Sequence, residues 1–227
     1  MEHFADPQAA LAAEVEGLSP GRGGGSCRAW TTVRSMVVPR AMTRRGGFRE
    51  AQASLEERGF PIVVRASGGG LVPQGPGILN ISVTLPTRRH EGPVNDYAWL
   101  CGQLRAFVGG YGFDARTGAV PGSFCDGEHN VVVTGRKLAG TAQRRGQARS
   151  LLHAVILVDP ELEPALEAVR CARAHLGDPA PLRSEAHVTL SELTETLSDP
   201  ARVASELIAR LQAGVALHLA ARRPKAS

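Results

Sequence analysis

The 227-residue chain is poor in aromatic residues: they make up 4% of it, with two tryptophans, two tyrosines and six phenylalanines. With 43% hydrophobic residues, the core must be built largely from aliphatic side chains. Cysteine is sparse too. Cys27, Cys101, Cys125 and Cys171 lie far apart with no CxxC spacing, which argues against a zinc site or a disulfide framework. Cytosolic thiols are expected, one of them open to being reactive. No apolar run approaches ~18 residues, so no membrane-spanning helix is predicted. The opening "MEHFADPQAALAAEVEGL" lacks the basic segment and apolar run of a secretory signal, and a cytoplasmic protein is expected. Neither GxGxxG nor a glycine loop followed by GKS or GKT is present, and no internal repeat is visible.

What is present begins with charge. The chain carries a formal +4, and residues 101–150 hold seven Lys/Arg against three Asp/Glu, an excess as large as that of the whole chain. A local basic face suits an acidic partner. Nucleic acid is not expected, because no aromatics interleave the basic side chains and no nucleic-acid motif appears.

Hydrophobic spacing and punctuation outline the elements. Asp6 with Pro7 opens a helix over "PQAALAAEVEGL". "SPGRGGGS" reads as a mobile loop and "CRAWTTVRSMVVP" as one strand. "FREAQASLEERG" is an amphipathic helix stopped at Gly59. "FPIVVRA" is a buried-type strand that runs into "SGGG", and "ILNISVTL" is a further strand. "VNDYAWLCGQLRAFVGGYG" is a helix, with Asn95 or Asp96 as cap and Gly109–Gly110 as stop. "NVVVTGRKLAGTAQ" reads as a hairpin turning at Thr134–Gly135, which sets Val133 opposite Arg136 and Val132 opposite Lys137. "LLHAVILVD" is a strand, and residues 161–227 are mainly helical, with "RSEAHVTLSEL" ambiguous and the tail "ARRPKAS" frayed. Mixed strands and helices with a hairpin predict an α+β protein: one domain over 1–227, a mixed β-sheet flanked by helices.

Four features can carry chemistry. Gly68, Gly69 and Gly70 follow a strand and let backbone N–H groups approach a ligand, though a flexible turn has the same composition. "GPG" before an apolar strand adds a second wall poor in side chains, and two such walls can flank a slender apolar ligand. Lys137 shares a layer with the aliphatic Val131–Val133 strand, where an ammonium needs an anion or carbonyl unless it snorkels to water. Cys125 lies a few residues upstream. An ammonium nearby would make its thiol a better nucleophile, whereas a lone cysteine is otherwise a small buried hydrophobe. His129 and His153 are possible accessory bases or, respectively, an exposed loop histidine and a satisfied core histidine.

Together these stretches resemble the lipoate–protein ligase and octanoyltransferase family, which shares the catalytic fold of class II biotin/lipoate protein ligases. A pattern of roughly R-x-S/T-G-G-x-x-V and then G-x-L-N-x-S stands here as Arg65, Ser67, Gly68, Gly69, Val72, then Gly77, Leu79, Asn80 and Ser82. The signature around G-R-K is present as "GRKLAGTAQRR" followed by "LLHAVILVD". The resemblance runs from about Asp6 to Leu197. It implies that Arg65, Ser67, Gly68, Gly69, Gly70, Gly75, Asn80, Gly140, Thr141 and Ala142 bind an octanoyl or lipoyl substrate, and that Lys137 contacts its carbonyl. It implies no metal ligands. The partner it implies is a small acidic lipoyl carrier domain, either glycine cleavage H protein or the lipoyl domain of a 2-oxoacid dehydrogenase E2. The acyl source would be an octanoyl donor protein or free lipoate.

The family holds two chemistries. Ligases use ATP and Mg²⁺ to form an acyl-adenylate; transferases pass the acyl group through a cysteine thioester without a cofactor. Ligases commonly carry His-Asp where this chain has Gln74 and Gly75, and often a C-terminal accessory domain for which this chain is too short. "PGSFCDG" resembles the cysteine loop of the octanoyl amidotransferase branch, so Cys125 is the expected nucleophile and Lys137 its assistant. An ATP-dependent ligase and a non-catalytic acyl-binding relative are the alternatives.

Overall fold

A computed structural model describes residues 1–19, 24–87, 94–178 and 180–221, with the backbone alone at Val94 and Asn95. Much of "SPGRGGGS" and all but the first residue of "ARRPKAS" lie outside the described residues.

Strand β1 (Glu2–Phe4) precedes helix α1 (Pro7–Glu16), whose Asp6 carboxylate caps Gln8 N–H. The span read as one strand is two: β2 (Ser26–Thr32) and β3 (Ser35–Pro39), parted at Val33–Arg34 and paired in different sheets. Periodicity could not separate them, because both are apolar on either side of a two-residue corner. A single 3₁₀ turn, Arg40–Arg44, leads to α2 (Phe48–Glu57), then β4 (Ile62–Arg65), β5 (Val72–Gln74) and β6 (Ile78–Pro86). Helix α3 (Val94–Gly109) begins before Asn95 and Asp96, so neither is the outer cap expected of it. The hairpin region comprises β7 (Ala115–Thr117), β8 (Val131–Val133), β9 (Arg136–Arg145) and β10 (Arg149–Leu157). Helices α4 (Leu162–His175), α5 (Leu190–Leu193) and α6 (Pro200–Ala221) follow.

A seven-stranded mixed sheet runs β1-β2-β6-β10-β9-β8-β7, parallel only at β1–β2, beside a three-stranded sheet β4-β3-β5. Alternation along β6 shows how the layers are built. Leu79, Ile81, Val83 and Leu85 enter an apolar cluster under α3 and α6, each worth roughly 1.5–3 kcal/mol of burial. Asn80, Ser82 and Thr84 point to the opposite face and are also buried. Strand β10 repeats this pattern: Leu152, Ala154 and Ile156 face the helices, and His153 and Val155 face a cavity. Beyond that cavity stand α1 and the small sheet, backed by α2 and α4 in a second apolar cluster. The polar face of β6 and β10 is therefore the floor of a site.

Candidate functional site

The hairpin turns at Thr134 (φ 51°) and Gly135 (φ 78°), the double left-handed geometry of a type I′ turn. Val133 pairs with Arg136 and Val132 with Lys137, the register read from the sequence. Val131 then pairs with Ala139, so Leu138 is an extra residue in a β-bulge. The bulge matters because Lys137 and Gly140 are an odd number of residues apart. In a regular strand they would face opposite sides; here both line the cavity.

That cavity holds about 590 Å³. Its apolar wall is Leu11, Trp30, Val37, Val72 and Val155, and its polar rim includes Gln74, Asn80, Tyr97, Cys125 and His129. The glycine loop between β4 and β5 is stapled by Arg65, whose Nη2 donates to Gly68 O and Gly70 O, both at 2.9 Å. Burial draws the Arg65 pKa below its usual range, and the facing Cys125 thiol opposes that shift. So held, Gly70 N–H donates to Cys125 Sγ at 3.0 Å. Gly69 sits at φ 108°, where a Cβ would lie 2.7 Å from Arg65 Nη2 and 3.2 Å from Cys125 Sγ. A side chain there would displace the Arg65 guanidinium and crowd the Cys125 thiol.

Cys125 itself has φ 46°, a left-handed conformation uncommon for a residue with a Cβ. Lys137 is 1% exposed. Its Nζ donates to Phe124 O at 2.5 Å and Cys125 O at 3.1 Å, and lies 4.3 Å from the Phe124 ring centroid. Desolvation brings the Lys137 pKa down to about 8, against the opposing pull of Cys125 and Asp126. The cation is thus aimed at the backbone that carries the thiol, at the edge of the cavity.

Arg65, Gly68, Gly69, Gly70, Asn80, Gly140, Thr141, Ala142, Cys125, Lys137, His129 and His153 line this one cavity. Ser67 does not: it lines a neighbouring cavity of about 510 Å³. Gly75 packs against Arg34 and is also outside the lining. Asn80 Nδ2 donates to Gln74 Oε1 at 2.7 Å, which ties these two buried amides together. His129 stacks on Tyr97 at a centroid distance of 4.3 Å, and its carbonyl accepts from Thr141 Oγ1. His153 Nδ1 stands 3.4 Å from Glu14 Oε2, while Ser82 Oγ donates to Glu14 Oε1 and Trp30 Nε1 to Ser82 Oγ. Burial raises the Glu14 pKa, but His153 and these donors outweigh it and hold the carboxyl below its usual range.

One group at the site was not read from the sequence. His187, in the ambiguous "RSEAHVTLSEL", accepts Phe124 N–H on Nε2 at 3.1 Å and stacks on the Phe124 ring. It bridges in parallel to Lys137. Its separation from Phe124 by 63 residues left no local signal.

Comparison with known proteins decides the family. Residues 28–212 match the family model described as lipoyl protein ligase A/B catalytic domain. The chain belongs to this family. Within this lipoyl ligase A/B family, it is 44% identical over 116 residues to an octanoyl-GcvH:protein N-octanoyltransferase of Kyrpidia tusciae, covering 51% of this chain and 40% of that one. It is 40% identical over 147 residues to an uncharacterized protein of Cupriavidus necator, covering 57% and 58%. The chain spans about half the length of these curated relatives. In fold it is similar to a lipoate-protein ligase A bound with ATP, with TM-score 0.75 at 18% identity over 95% of this chain and 83% of the other. It is also similar to a bi-partite lipoate protein ligase from Thermoplasma acidophilum, with TM-score 0.68 at 18% identity over 95% and 81%. The mixed sheet flanked by helices is the catalytic fold of these ligases.

Proposed function

We propose that this protein is an acyltransferase of protein lipoylation, moving an octanoyl or lipoyl group to a lysine of a lipoyl carrier domain through a thioester on Cys125. The observation that carries this reading is the placement of the Cys125 thiol, between Gly70 N–H and the Arg65 guanidinium at the edge of the cavity that Lys137 also lines. The name of the Kyrpidia tusciae relative supports the reaction class.

Cys125 Sγ attacks the carbonyl carbon of an acyl-lysine amide on the donor. A C–S bond forms, the C–N bond breaks, and the thiol proton leaves with the donor amine. Lys137 Nζ and Gly70 N–H are the donors this reading assigns to the developing oxyanion, which they would take in exchange for their resting acceptors, Phe124 O and Cys125 O for Nζ and Cys125 Sγ for Gly70. The acceptor lysine nitrogen then attacks the thioester. The C–N bond forms, the C–S bond breaks, and the amine's proton returns to sulfur. Lys137, with a pKa of about 8, exchanges protons readily near neutral pH and is suited to carry them. Arg65, Gly68, Gly69, Asn80, Gly140, Thr141 and Ala142 flank the acyl chain. Ser67 and Gly75 stand outside the cavity, and no role for them is part of this proposal.

No cofactor is required on this reading. Gln74 and Gly75, standing where ligases commonly carry His-Asp, weigh against the adenylate alternative. Lys137 and Arg149 are buried, but Arg105, Arg116, Arg136, Arg144 and Arg145 remain accessible against Asp114, Asp126 and Glu128, a balance that suits an acidic carrier, glycine cleavage H protein or an E2 lipoyl domain. The four cysteines are free thiols, which fits a reducing cytoplasm.

The test is intact mass after incubation with an octanoylated carrier and no ATP. Wild type is expected to gain one octanoyl group and pass it to a second carrier, and Cys125→Ser to do neither. Transfer by Cys125→Ser at the wild-type rate would overturn the thioester; transfer only from free lipoate with Mg-ATP would establish the ligase instead.

A further inference from the structure

His187 belongs to none of the motifs that led to the site, yet it is 1% exposed and lies against the segment that presents Cys125. Three contacts define what it does. Nε2 accepts Phe124 N–H at 3.1 Å. Nδ1 lies 3.1 Å from Arg183 O, an acceptor only, so the proton sits on Nδ1 and the Nε2 lone pair is free for Phe124. The imidazole is stacked on the Phe124 ring at a centroid distance of 5.0 Å and 12° between planes.

Phe124 is the residue before the left-handed Cys125, and its carbonyl is the nearer acceptor of Lys137 Nζ. A rotation of the Phe124–Cys125 segment would break the Lys137 contacts and carry Sγ off Gly70 N–H. We propose that His187 is a positioning residue for Cys125: its Nδ1–H tautomer clamps Phe124 by hydrogen bond and stack, and so fixes the direction in which the thiol faces the cavity. A neutral ring is required for this, because an imidazolium has no lone pair for Phe124 N–H and would add a charge beside Lys137. Burial first, and the Lys137 ammonium second, lower the His187 pKa to about 4.

This inference rests on Cys125 being the reactive group, and its test can be read without acyl transfer. Cys125 alkylation by iodoacetamide is followed by mass spectrometry of its peptide in wild type, His187→Gln and His187→Phe. Glutamine keeps an acceptor near the Nε2 position; phenylalanine keeps the stack but leaves Phe124 N–H without a partner. Alkylation of His187→Phe is expected to slow by about tenfold or more, and His187→Gln to stay within about threefold of wild type. In the transfer assay, kcat should fall in the same order with the KM for carrier unchanged. Equal rates in all three proteins, or equal loss in both variants, would overturn the clamp. Should a variant not fold, long-range nitrogen–proton NMR of wild type still decides, because a His187 protonated on Nε2 would overturn it. A wild type whose Cys125 alkylates but never acquires an acyl group would sink the proposed function and leave the clamp standing.

Discussion

Lys137 is a cation held where water does not reach, and its energetics follow from that. The unfolded chain keeps its proton up to about pH 10.5, the folded chain only to about 8. Between those values the unfolded state binds more protons, so the Lys137 contribution to stability rises with pH across the window and is lost as pH falls from 10.5 through 8. Urea melts of wild type and Lys137→Met from pH 7.5 to 10.5 should diverge in favour of wild type by roughly 3 kcal/mol. The same variant should lose acyl loading by about two orders of magnitude or more. His187 mirrors this on the acid side. With a folded pKa of about 4 against 6.5, its contribution is full above pH 6.5 and is lost as pH falls toward 4. His187→Gln should lack that acid limb, seen as a flatter curve of melting temperature between pH 6.5 and 4. Lys137 was legible in the sequence because its hairpin is local: two valines, a Thr-Gly turn and a lysine fix one another's positions within a few residues. His187 was not, because its partner lies 63 residues away and the contact exists only once the helices after β10 have packed.

At the scale of elements, the site is a matter of turn and bulge. Thr134 adopts a left-handed conformation that a β-branched residue holds poorly. Thr134→Asn should raise the melting temperature by an amount equivalent to about 0.5–1 kcal/mol, with transfer activity unchanged. The glycine loop is the opposite case. Gly69→Ala would force a Cβ against Arg65 and Cys125, so alkylation of Cys125 should change rate while the far-UV spectrum stays native. The hairpin register could be read from residue types, but the bulge at Leu138 could not. It arises from where β8 ends relative to β9, a property of pairing rather than of either segment. The corner at Val33–Arg34 was missed for a similar reason: the two halves differ in which sheet they join, not in composition.

On the scale of the whole molecule, the large sheet separates two apolar clusters, and only the face with polar floor residues encloses the cavity. An acidic carrier approaching the accessible Arg116, Arg144 and Arg145 should feel salt. Raising NaCl from about 50 to 500 mM should raise the KM for carrier several-fold while kcat stays nearly constant. The positive φ at Cys125 has one more consequence. Glycine in place of alanine ordinarily weakens a fold by about 0.5–1 kcal/mol, but at this position alanine inherits the steric penalty that glycine escapes. Cys125→Gly should therefore melt at or above Cys125→Ala. Such an ordering, the reverse of the usual one, would show that the surroundings of residue 125, and not its own conformational preference, hold that backbone angle.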